Sequence, residues 1–490
     1  MQITLQTQAT ADALVIPVVQ TDTLADTLAQ LAPTVGLPAA TIQADFKADR
    51  NEILLAYRPD GHKTYLLGLG KDPGANHWLR TVREFFFRQK RKLPASLTVD
   101  LRPFSPDVLE AVALGIRGGG YDLRLYQQQK DEGPALYGDG GHVTLRVTDA
   151  SDEPYADALR RAEAMAGTQR EMLDLMNAPA NYVTPQTLAD WAVRSGERYG
   201  YTVTVLDRAA MAQQGLQAVL AVNKGSDQPP AFIIADYRPD GPDTVPTVGL
   251  VGKGITFDTG GISIKGSANM HLMKSDMGGA AAVLGTLEAA AKLKLPVRLI
   301  GIVPTTENMV DGGATRPGDV IGSYSGKTIE IIDTDAEGRV ILADGLSYAV
   351  RRFAPDVLLD LATLTGSVIS TLGYHAAGLF TANDALAAEL LGAADRTGER
   401  LWRLPLWDVY QDDIKSDVAD VKNFSGKPMA GAIAAAKFLE VFTDEHPAWA
   451  HLDIAGTAFG DTEFGTQKNA TGYGIRLLID YLRNLTQLSA

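Results

Sequence analysis

Short hydrophobic runs alternate with amphipathic stretches along most of this chain. In the first 150 residues, helix-like stretches at 75–92 and 105–116 separate strand-like runs at residues 12–18, 52–58, 64–69 and 96–101. The length and the period of the hydrophobic pattern distinguish the two kinds of element. A polar, glycine-containing segment at 126–141 then predicts a linker, and a charged amphipathic stretch at 153–176 predicts a helix.

The second half of the chain alternates more regularly. Helical patterns at 280–293 and 338–353 fall between strand-like runs at residues 202–206, 231–236, 247–251, 298–303, 328–332 and 357–362. Near-continuous Val, Ile and Leu runs separated by helices are typical of strands buried on both faces of a parallel sheet. We therefore predict an α/β fold with a smaller N-terminal α/β domain (1–150), a linking helix (151–180) and a larger domain (181–490) with a mostly parallel central sheet.

Composition narrows the class of protein. The chain has 490 residues, 45% hydrophobic and 21% charged, which is typical of globular domains and excludes intrinsic disorder. The absence of cysteine excludes disulfides, iron–sulfur ligation and a thiol nucleophile. The net charge of −14 argues against nucleic acid as the main partner. No signal-peptide pattern and no long apolar run is visible, so we expect a cytoplasmic protein without a membrane span.

Charged residues gather beyond the carboxyl ends of two predicted strands, where ligands bind in open α/β sheets. A single such Asp often caps a helix, and a glycine-rich stretch is often a turn. Three carboxylates within five residues repel one another, however, and a helix N-terminus offsets only about 0.3–1 kcal/mol per charge. A metal ion would remove the repulsion. The candidate residues are Lys253, Asp258, Lys265, Asp276, Asp333, Asp335, Glu337 and Arg339.

These residue types indicate metal-assisted hydrolysis. Oxygen ligands without thiolates suit Mg²⁺, Mn²⁺ or Zn²⁺. Lys265 and Arg339 would supply positive charge for an anionic intermediate. Two metals about 3.5–4 Å apart can share one water and lower its pKa toward 7. Four carboxylates would balance two divalent ions: Asp258, Asp276, Asp335 and Glu337.

Other catalytic motifs are absent from the sequence. The run GLVGKG at 249–254 lacks the spacer of a P-loop, GSYSG at 322–326 is not a nucleophile elbow, and no HExxH occurs. His271 lies near the acidic residues, and we interpret it as a pocket-wall or structural residue. A metal-dependent phosphoesterase could use the same carboxylates, and a binding or regulatory protein is the non-enzymatic alternative.

Several motifs resemble the leucyl aminopeptidases of the M17 metallopeptidase family. They are DTDAEGRV at 333–340, VGKGITFDTGGISIK at 251–265 and M-x-x-D-M-G-G-A at 273–280, supported by NAPANYVTP, DLATLTG, HLDIAGTA and TGYGIRLL. The resemblance is strong from Asn177 onward and weak before about Gly118. It implies an aminopeptidase that hydrolyses the first peptide bond of peptides with a free, preferably bulky apolar N-terminal residue of the leucine type, by a water or hydroxide that bridges two metals.

The resemblance also implies a role for each candidate. Two ions, Zn²⁺ and/or Mn²⁺, would be bound in each subunit by Lys253, Asp258, Asp276, Asp335 and Glu337. Asp258 and Glu337 would bridge the ions, and Lys253 would bind as a neutral amine, which requires its pKa to fall from about 10.4. Lys265 would polarise the scissile carbonyl. Arg339 would hold a bicarbonate that acts as the general base.

The remaining implications concern specificity and assembly. The side-chain pocket would correspond to Met273, Thr363, Gly366, Ala455 and Ala458. Ala458 stands where some members of the family carry Met, so we predict a wider pocket. Asp333 stands where Asn is usual, which bears on metal preference or substrate affinity. The family further implies a macro-domain-like N-terminal fold and a homohexamer acting on peptides.

Overall fold

The computed structural model describes residues 1–8, 11–58, 60–128, 133–241, 245–461, 464 and 468–488. The chain folds as two compact units, Met1–Arg170 and Glu171–Ala490. The boundary falls inside the 25-residue helix α5 (Glu153–Asn177), which lies within the segment predicted as the linking helix. Among the described residues, no helix is both long enough and apolar enough to cross a membrane.

The first unit contains a six-stranded sheet in the order β1-β6-β5-β2-β4-β3. All neighbouring strands are parallel except β3 and β4. Its strands are β1 (Gln2–Gln6), β2 (Ala13–Val18), β3 (Ile53–Tyr57), β4 (Lys63–Gly68), β5 (Ser96–Asp100) and β6 (His142–Arg146). Its helices before α5 are α1 (Leu24–Val35), α2 (Ala39–Asp45), α3 (Ala75–Gln89) and α4 (Pro106–Gly119).

The first unit follows the hydrophobic pattern except at one edge of its sheet. Strand β1 was missed because no residue in it is fully buried, so its side chains do not form a hydrophobic run. Strand β6 was also missed because it follows the predicted linker directly. Residues 129–132 of that linker lie outside the described residues.

The second unit contains a nine-stranded sheet in the order β16-β15-β18-β14-β9-β11-β8-β7, with β10 paired to β11. Its strands are β7 (Thr202–Leu206), β8 (Ala231–Tyr237), β9 (Thr247–Gly252), β10 (Gly254–Asp258), β11 (Arg298–Asn308), β14 (Val357–Ala362), β15 (Ala377–Phe380), β16 (Leu401–Arg403) and β18 (Trp449–Asp453). The central strands β18, β14, β9 and β11 are mutually parallel. The sheet is therefore mixed with a parallel centre, and the predicted α/β class is confirmed.

Helices cover the nine-stranded sheet. They are α6 (Pro185–Tyr199), α7 (Arg208–Gln214), α8 (Gln217–Asn223), α9 (Gly278–Leu293), α10 (Glu337–Phe353), α11 (Gly366–Leu372), α12 (Asp384–Thr397), α13 (Gly431–Glu440) and α14 (Ile475–Leu488). Helix α6 begins as its sequence predicts: the Thr184 side chain accepts a hydrogen bond from the Thr187 N–H, and Pro185 follows the cap. Helix α9 is buried along nearly its whole length, which explains its small, apolar composition.

The prediction of a central-sheet strand at 328–332 was wrong. Only Ile329–Glu330 (β13) is extended, and it belongs to a separate three-stranded sheet with β12 (Val320–Ile321) and β17 (Val421–Lys422). A further small sheet pairs β19 (Phe459–Asp461) with β20 (Asn469–Ala470). The run around β13 alternates, because Ile329 and Ile331 are buried whereas Glu330 accepts a hydrogen bond from Ser416 Oγ. Such alternation fits a small, half-covered sheet rather than a strand buried on both faces.

Candidate metal centre

Close backbone packing brings the first two candidate residues together. A side chain at Gly252 would place its Cβ 2.6 Å from the Gly279 carbonyl oxygen, so only glycine allows β9 to touch the start of α9. The next residue, Lys253, donates its N–H to the Leu361 carbonyl and accepts from the Ala280 N–H. Asp276 lies just ahead of α9, after the short helical turn Met270–Ser275. The Lys253 and Asp276 side chains therefore meet above the parallel centre of the sheet.

Lys253 is at the centre of one ion-pair group. Its Nζ lies 2.8 Å from Asp276 Oδ2 and 2.8 Å from Glu337 Oε1, and it donates to the Thr363 carbonyl oxygen at 3.0 Å. The Thr363 hydroxyl in turn donates to Asp276 Oδ1 at 2.7 Å. All three charged side chains are almost fully buried. Gly338 makes room for this group, since a Cβ there would lie 2.6 Å from Lys253 Nζ.

Lys265 is at the centre of the second ion-pair group. Its Nζ lies 2.8 Å from Asp258 Oδ2 and also contacts Asp335 Oδ1. Asp258 is held in place because its Oδ1 accepts from the Gly260 N–H and from Asn308 Nδ2. Carboxylate oxygens of Asp258, Asp335 and Glu337 all lie within 4.8 Å of one another. The two groups are thus parts of one acidic cluster.

The cluster has the features expected of a metal site. Its four carboxylates outnumber its two lysines, which leaves two uncompensated negative charges in a mostly buried place. Within the described residues, Glu337 Oε2 has no hydrogen-bond partner, and Glu337 Oε1, Asp276 Oδ2 and Asp335 Oδ1 are contacted by the two lysine ammonium groups alone. Buried oxygens without donors are costly unless a cation binds them. The donor set therefore fits divalent cations.

The pKa shifts of the buried charged side chains also support a site for divalent cations. Burial, reinforced by the charge of Asp258, raises the pKa of the Glu337 carboxyl to about 8. Burial likewise raises the pKa of Asp276 to about 6, although the neighbouring Lys253 acts in the opposite direction. For Lys253, burial acts to lower the pKa of the ammonium, but the charges of Asp276, Glu337 and Asp258 raise it overall. Without bound metal, the lysine is the cluster's own counter-ion.

Arg339 lies behind the acidic cluster on α10. It is 5% exposed, its Nη1 donates to the Asn423 carbonyl oxygen at 2.9 Å, and its Nε has no acceptor among the described residues. Burial lowers the pKa of the guanidinium to about 10. A buried guanidinium with a free N–H is suited to bind a small anion.

Asn423 and Asp453 position the site, and sequence reasoning did not single them out. Asn423 is fully buried; its Oδ1 accepts from the Ile332 N–H and its Nδ2 donates to the Asp333 carbonyl oxygen. Asp453 accepts from the Leu364 N–H and from the Thr365 hydroxyl, which caps α11. Asp453 lies in the family-like motif HLDIAGTA, but its role could not be read from the sequence, because the partners of both residues are distant in the chain.

A cavity of about 560 Å³ opens onto the cluster. It is lined by Lys253, Asp258, Lys265, Asp276, Asp335 and Arg339, and by Met273, Thr363, Gly366 and Ala455 from the predicted side-chain pocket. Glu337 is not among the lining residues, but its carboxylate is paired with Lys253, which is. Ala458 does not line the cavity: it is 2% exposed and lies beside Gly278. His271 is exposed in the turn Met270–Ser275 and is not part of the lining.

Asp333 also lines the cavity, and its hydrogen bond predicts that replacing it with asparagine has only a small effect on activity. Its Oδ1 accepts from the Asp335 N–H at 2.9 Å, a bond that an asparagine carbonyl oxygen would also make. We expect Asp333→Asn to stay active while its metal affinity or KM changes by about two- to tenfold, because one negative charge beside the cluster is lost. Metal titration and steady-state kinetics measure this. Complete loss of activity would contradict it.

The fold and the centre define a class: a metal-dependent hydrolase of α/β architecture, whose carboxylates and lysines fit divalent cations beside an open cavity. The catalytic-domain model of the cytosol aminopeptidase family matches residues 171–479. A protein described as a probable cytosol aminopeptidase from Chloroherpeton thalassium is 42% identical, covering 96% of this chain and 97% of its own.

Solved structures agree with the sequence match. A mutant of tomato leucine aminopeptidase superposes with a TM-score of 0.88 at 32% identity, covering 99% of this chain and 96% of that one. The bottromycin maturation enzyme BotP, solved in complex with Mn, superposes with a TM-score of 0.83 at 33% identity. The match covers 97% of this chain and 100% of that one. This chain belongs to the cytosol aminopeptidase family, M17, and is a metal-dependent aminopeptidase.

Proposed function

We propose that this protein removes bulky apolar N-terminal residues, leucine above all, from peptides with a free α-amine. The observation that carries this proposal is the cluster of buried carboxylates, in excess over its lysines, beside a cavity whose wall includes Met273 and Ala455. An acidic cluster attracts a cationic amine, and an apolar wall favours an apolar side chain. The wider pocket stays a prediction without direct support, since Ala458 is buried beside Gly278 and does not line the cavity.

Each residue of the cluster has a proposed role in binding metal. Asp258, Asp335 and Glu337 would hold one ion, and Lys253 with Asp276 would complete the second site, with Asp258 and Glu337 shared. Two Zn²⁺ or Mn²⁺ ions would supply Lewis-acid polarisation and an activated bridging water or hydroxide. Lys253 already contacts two proposed ligands, so it lies where a coordinating amine is needed.

Lys265 and Arg339 are the two cationic side chains to which we assign catalytic roles beside the metal ions. Lys265 faces the cavity, and we infer that its ammonium donates to the scissile carbonyl oxygen and stabilises the negative charge that develops there. Arg339 would hold a bicarbonate through its unpaired N–H, and that anion would accept the proton from the attacking water. The Asp276 carboxylate would orient the substrate's α-amine, which restricts cleavage to the first peptide bond.

Hydrolysis of Leu-p-nitroanilide tests the proposal directly. We expect cleavage with added Mn²⁺ or Zn²⁺, none after complete chelation, and recovery when metal is restored. N-acetyl-Leu-p-nitroanilide is the control, because acetylation converts the free α-amine to a neutral amide that neither carries a charge nor binds metal, while the leucine side chain and the leaving group stay the same. Equal cleavage of the blocked substrate would contradict an aminopeptidase, and full activity of stripped protein would contradict the metal mechanism. Addition and removal of bicarbonate in the same assay tests the role of Arg339.

Assembly and location are further parts of the proposal. We infer a homohexamer acting in the cytoplasm on peptides, as the resemblance implies, with no nucleic-acid partner. Light scattering of the purified protein measures the mass, and a gel shift at physiological salt tests DNA binding. A phosphoesterase is the weaker alternative because it gives no reason for Lys253 among the ligands; turnover of p-nitrophenyl phosphate would support it.

A further inference from the structure

The cavity that holds the metal centre also contains a cation that the proposed reaction does not use. Lys468, just ahead of β20, lines this cavity together with Tyr374. The Lys468 Nζ donates to the Tyr374 hydroxyl oxygen at 2.6 Å and lies 4.4 Å from the centre of the tyrosine ring. Ile369, Phe459 and Ala455 line the same cavity and give it an apolar wall.

Tyr374 is held in its place by its ring, not by its hydroxyl. The ring packs on the backbone of Gly460, where a Cβ would lie 2.7 Å from the tyrosine Cδ1. Gly460 has φ +155°, so only glycine readily fits both this conformation and the close approach. The hydroxyl of this anchored ring therefore gives Lys468 a fixed partner, although Tyr374 is 47% exposed.

Among the described residues, Lys468 has no carboxylate partner, in contrast to the other lysines of the cavity. Lys253 and Lys265 each lie 2.8 Å from a carboxylate oxygen. Within the residues that the structure describes, no carboxylate lies within ion-pair distance of Lys468, and Tyr374 is its hydrogen-bond partner. An ammonium group has three N–H donors, so two stay available, and the tyrosine O–H is a third donor. Three donors with a net positive charge fit a carboxylate.

We propose that Lys468 and Tyr374 form a carboxylate-binding subsite for the peptide substrate. The inference rests on the proposed aminopeptidase function and adds to it a preference for acidic substrates. Three parts of a peptide can present this group: the side chain of the N-terminal residue, the side chain of the following residue, and the C-terminal carboxylate. In each case Lys468 and Tyr374 donate to carboxylate oxygens while the α-amine stays at the metal centre.

Three substrate pairs, each differing in one carboxylate, distinguish these sources. They are Glu- against Gln-p-nitroanilide, Leu-Glu-amide against Leu-Gln-amide, and Leu-Gly against Leu-Gly-amide. The measured quantity is the ratio of kcat/KM for the acidic member to that for the neutral member. We expect Lys468→Gln to lower this ratio by about five- to tenfold for one pair, as the loss of a charge-assisted hydrogen bond predicts.

Four further variants make the test specific. Lys468→Arg should retain the ratio, Lys468→Glu should lower it further, and Tyr374→Phe should lower it about twofold because the ring keeps its packing on Gly460. Lys415→Gln, which removes an exposed ion pair with Asp412, is the matched control and should leave every ratio unchanged. An unchanged ratio for all three pairs in Lys468→Gln overturns the subsite.

Failure of the subsite and failure of the proposed function give different results. If wild-type protein cleaves none of the neutral peptides, the aminopeptidase proposal is wrong. Calorimetric titration with Leu-Glu-amide, Leu-Gly and Glu-p-nitroanilide then tests the subsite by binding alone. Weaker binding of one of them to Lys468→Gln than to wild type supports the subsite, and equal binding of all three overturns it.

Discussion

Replacement of Glu337 by glutamine is expected to abolish metal-dependent activity and to weaken both metal sites. Glu337 is the first residue of α10 and is 3% exposed; its Oε1 contacts Lys253, and its Oε2 has no hydrogen-bond donor among the described residues. Glutamine keeps the size of the side chain but removes one negative charge and one anionic oxygen. Because we propose that Glu337 is shared by both ions, both lose a ligand, and activity should fall by at least about a hundredfold.

Metal content and thermal stability measure this effect independently of turnover. A metal that binds only the folded chain stabilises it by about 2.7 kcal/mol at a hundredfold excess over Kd. The Tm of wild type should therefore rise on titration with Mn²⁺ or Zn²⁺, and the Tm of Glu337→Gln should rise much less. Glu330→Gln, which makes the same change at a residue bonded to Ser416, is the matched control. Wild-type metal content and activity in Glu337→Gln would contradict the assignment.

Lys265→Gln is expected to remove activity while leaving metal bound. The Lys265 ammonium faces the cavity and contacts Asp258 and Asp335, both proposed ligands of the same ion. Its loss removes a competing cation from these carboxylates, so metal affinity should be kept or increase. Its loss also removes the donor that we assign to the developing oxyanion, which costs about 2.7–4 kcal/mol, or about 10²–10³ in kcat.

The separation of metal binding from turnover is the decisive result for Lys265. Metal analysis of the purified variant and kcat for Leu-p-nitroanilide at saturating metal give the two quantities. Lys427→Gln, which breaks an ion pair with Asp413, is the matched lysine control and should match wild type in both. A Lys265→Gln variant that turns over normally would show that another group stabilises the oxyanion.

The fold could be predicted where burial leaves a continuous hydrophobic signal. The predicted strands at 202–206 and 357–362 coincide with β7 and β14, and the predicted linking segment contains α5. The parallel centre of the sheet was predicted, but its antiparallel strands were not, because β9 and β8 both pack against β11 and are both apolar although only β9 is parallel to it. The small sheet around β13 was missed because a predicted strand of only five residues, 328–332, is compatible with the large sheet and with a small one alike.

The candidate site could be predicted as a set of residues but not as a geometry. Local motifs brought Asp258, Asp335 and Glu337 forward, and the structure places their carboxylates together. Contacts between distant segments carry no local signal. The bracing of residues 364–365 by Asp453, the anchoring of Arg339 by Asn423 and the hydrogen bond from Lys468 to Tyr374 are of this kind. Each of these contacts depends on which loops lie at the same end of the nine-stranded sheet.

The distribution of the bracing contacts along the chain has a consequence for biosynthesis. Every proposed metal ligand has left the ribosome once residue 337 emerges, but Thr363, Asn423 and Asp453, which hold the loops of the site, follow later. Contacts between segments so far apart form only after the intervening chain is made. We therefore expect a nascent chain to acquire peptidase activity only after residue 453 has emerged, and chains terminated before that residue to lack it.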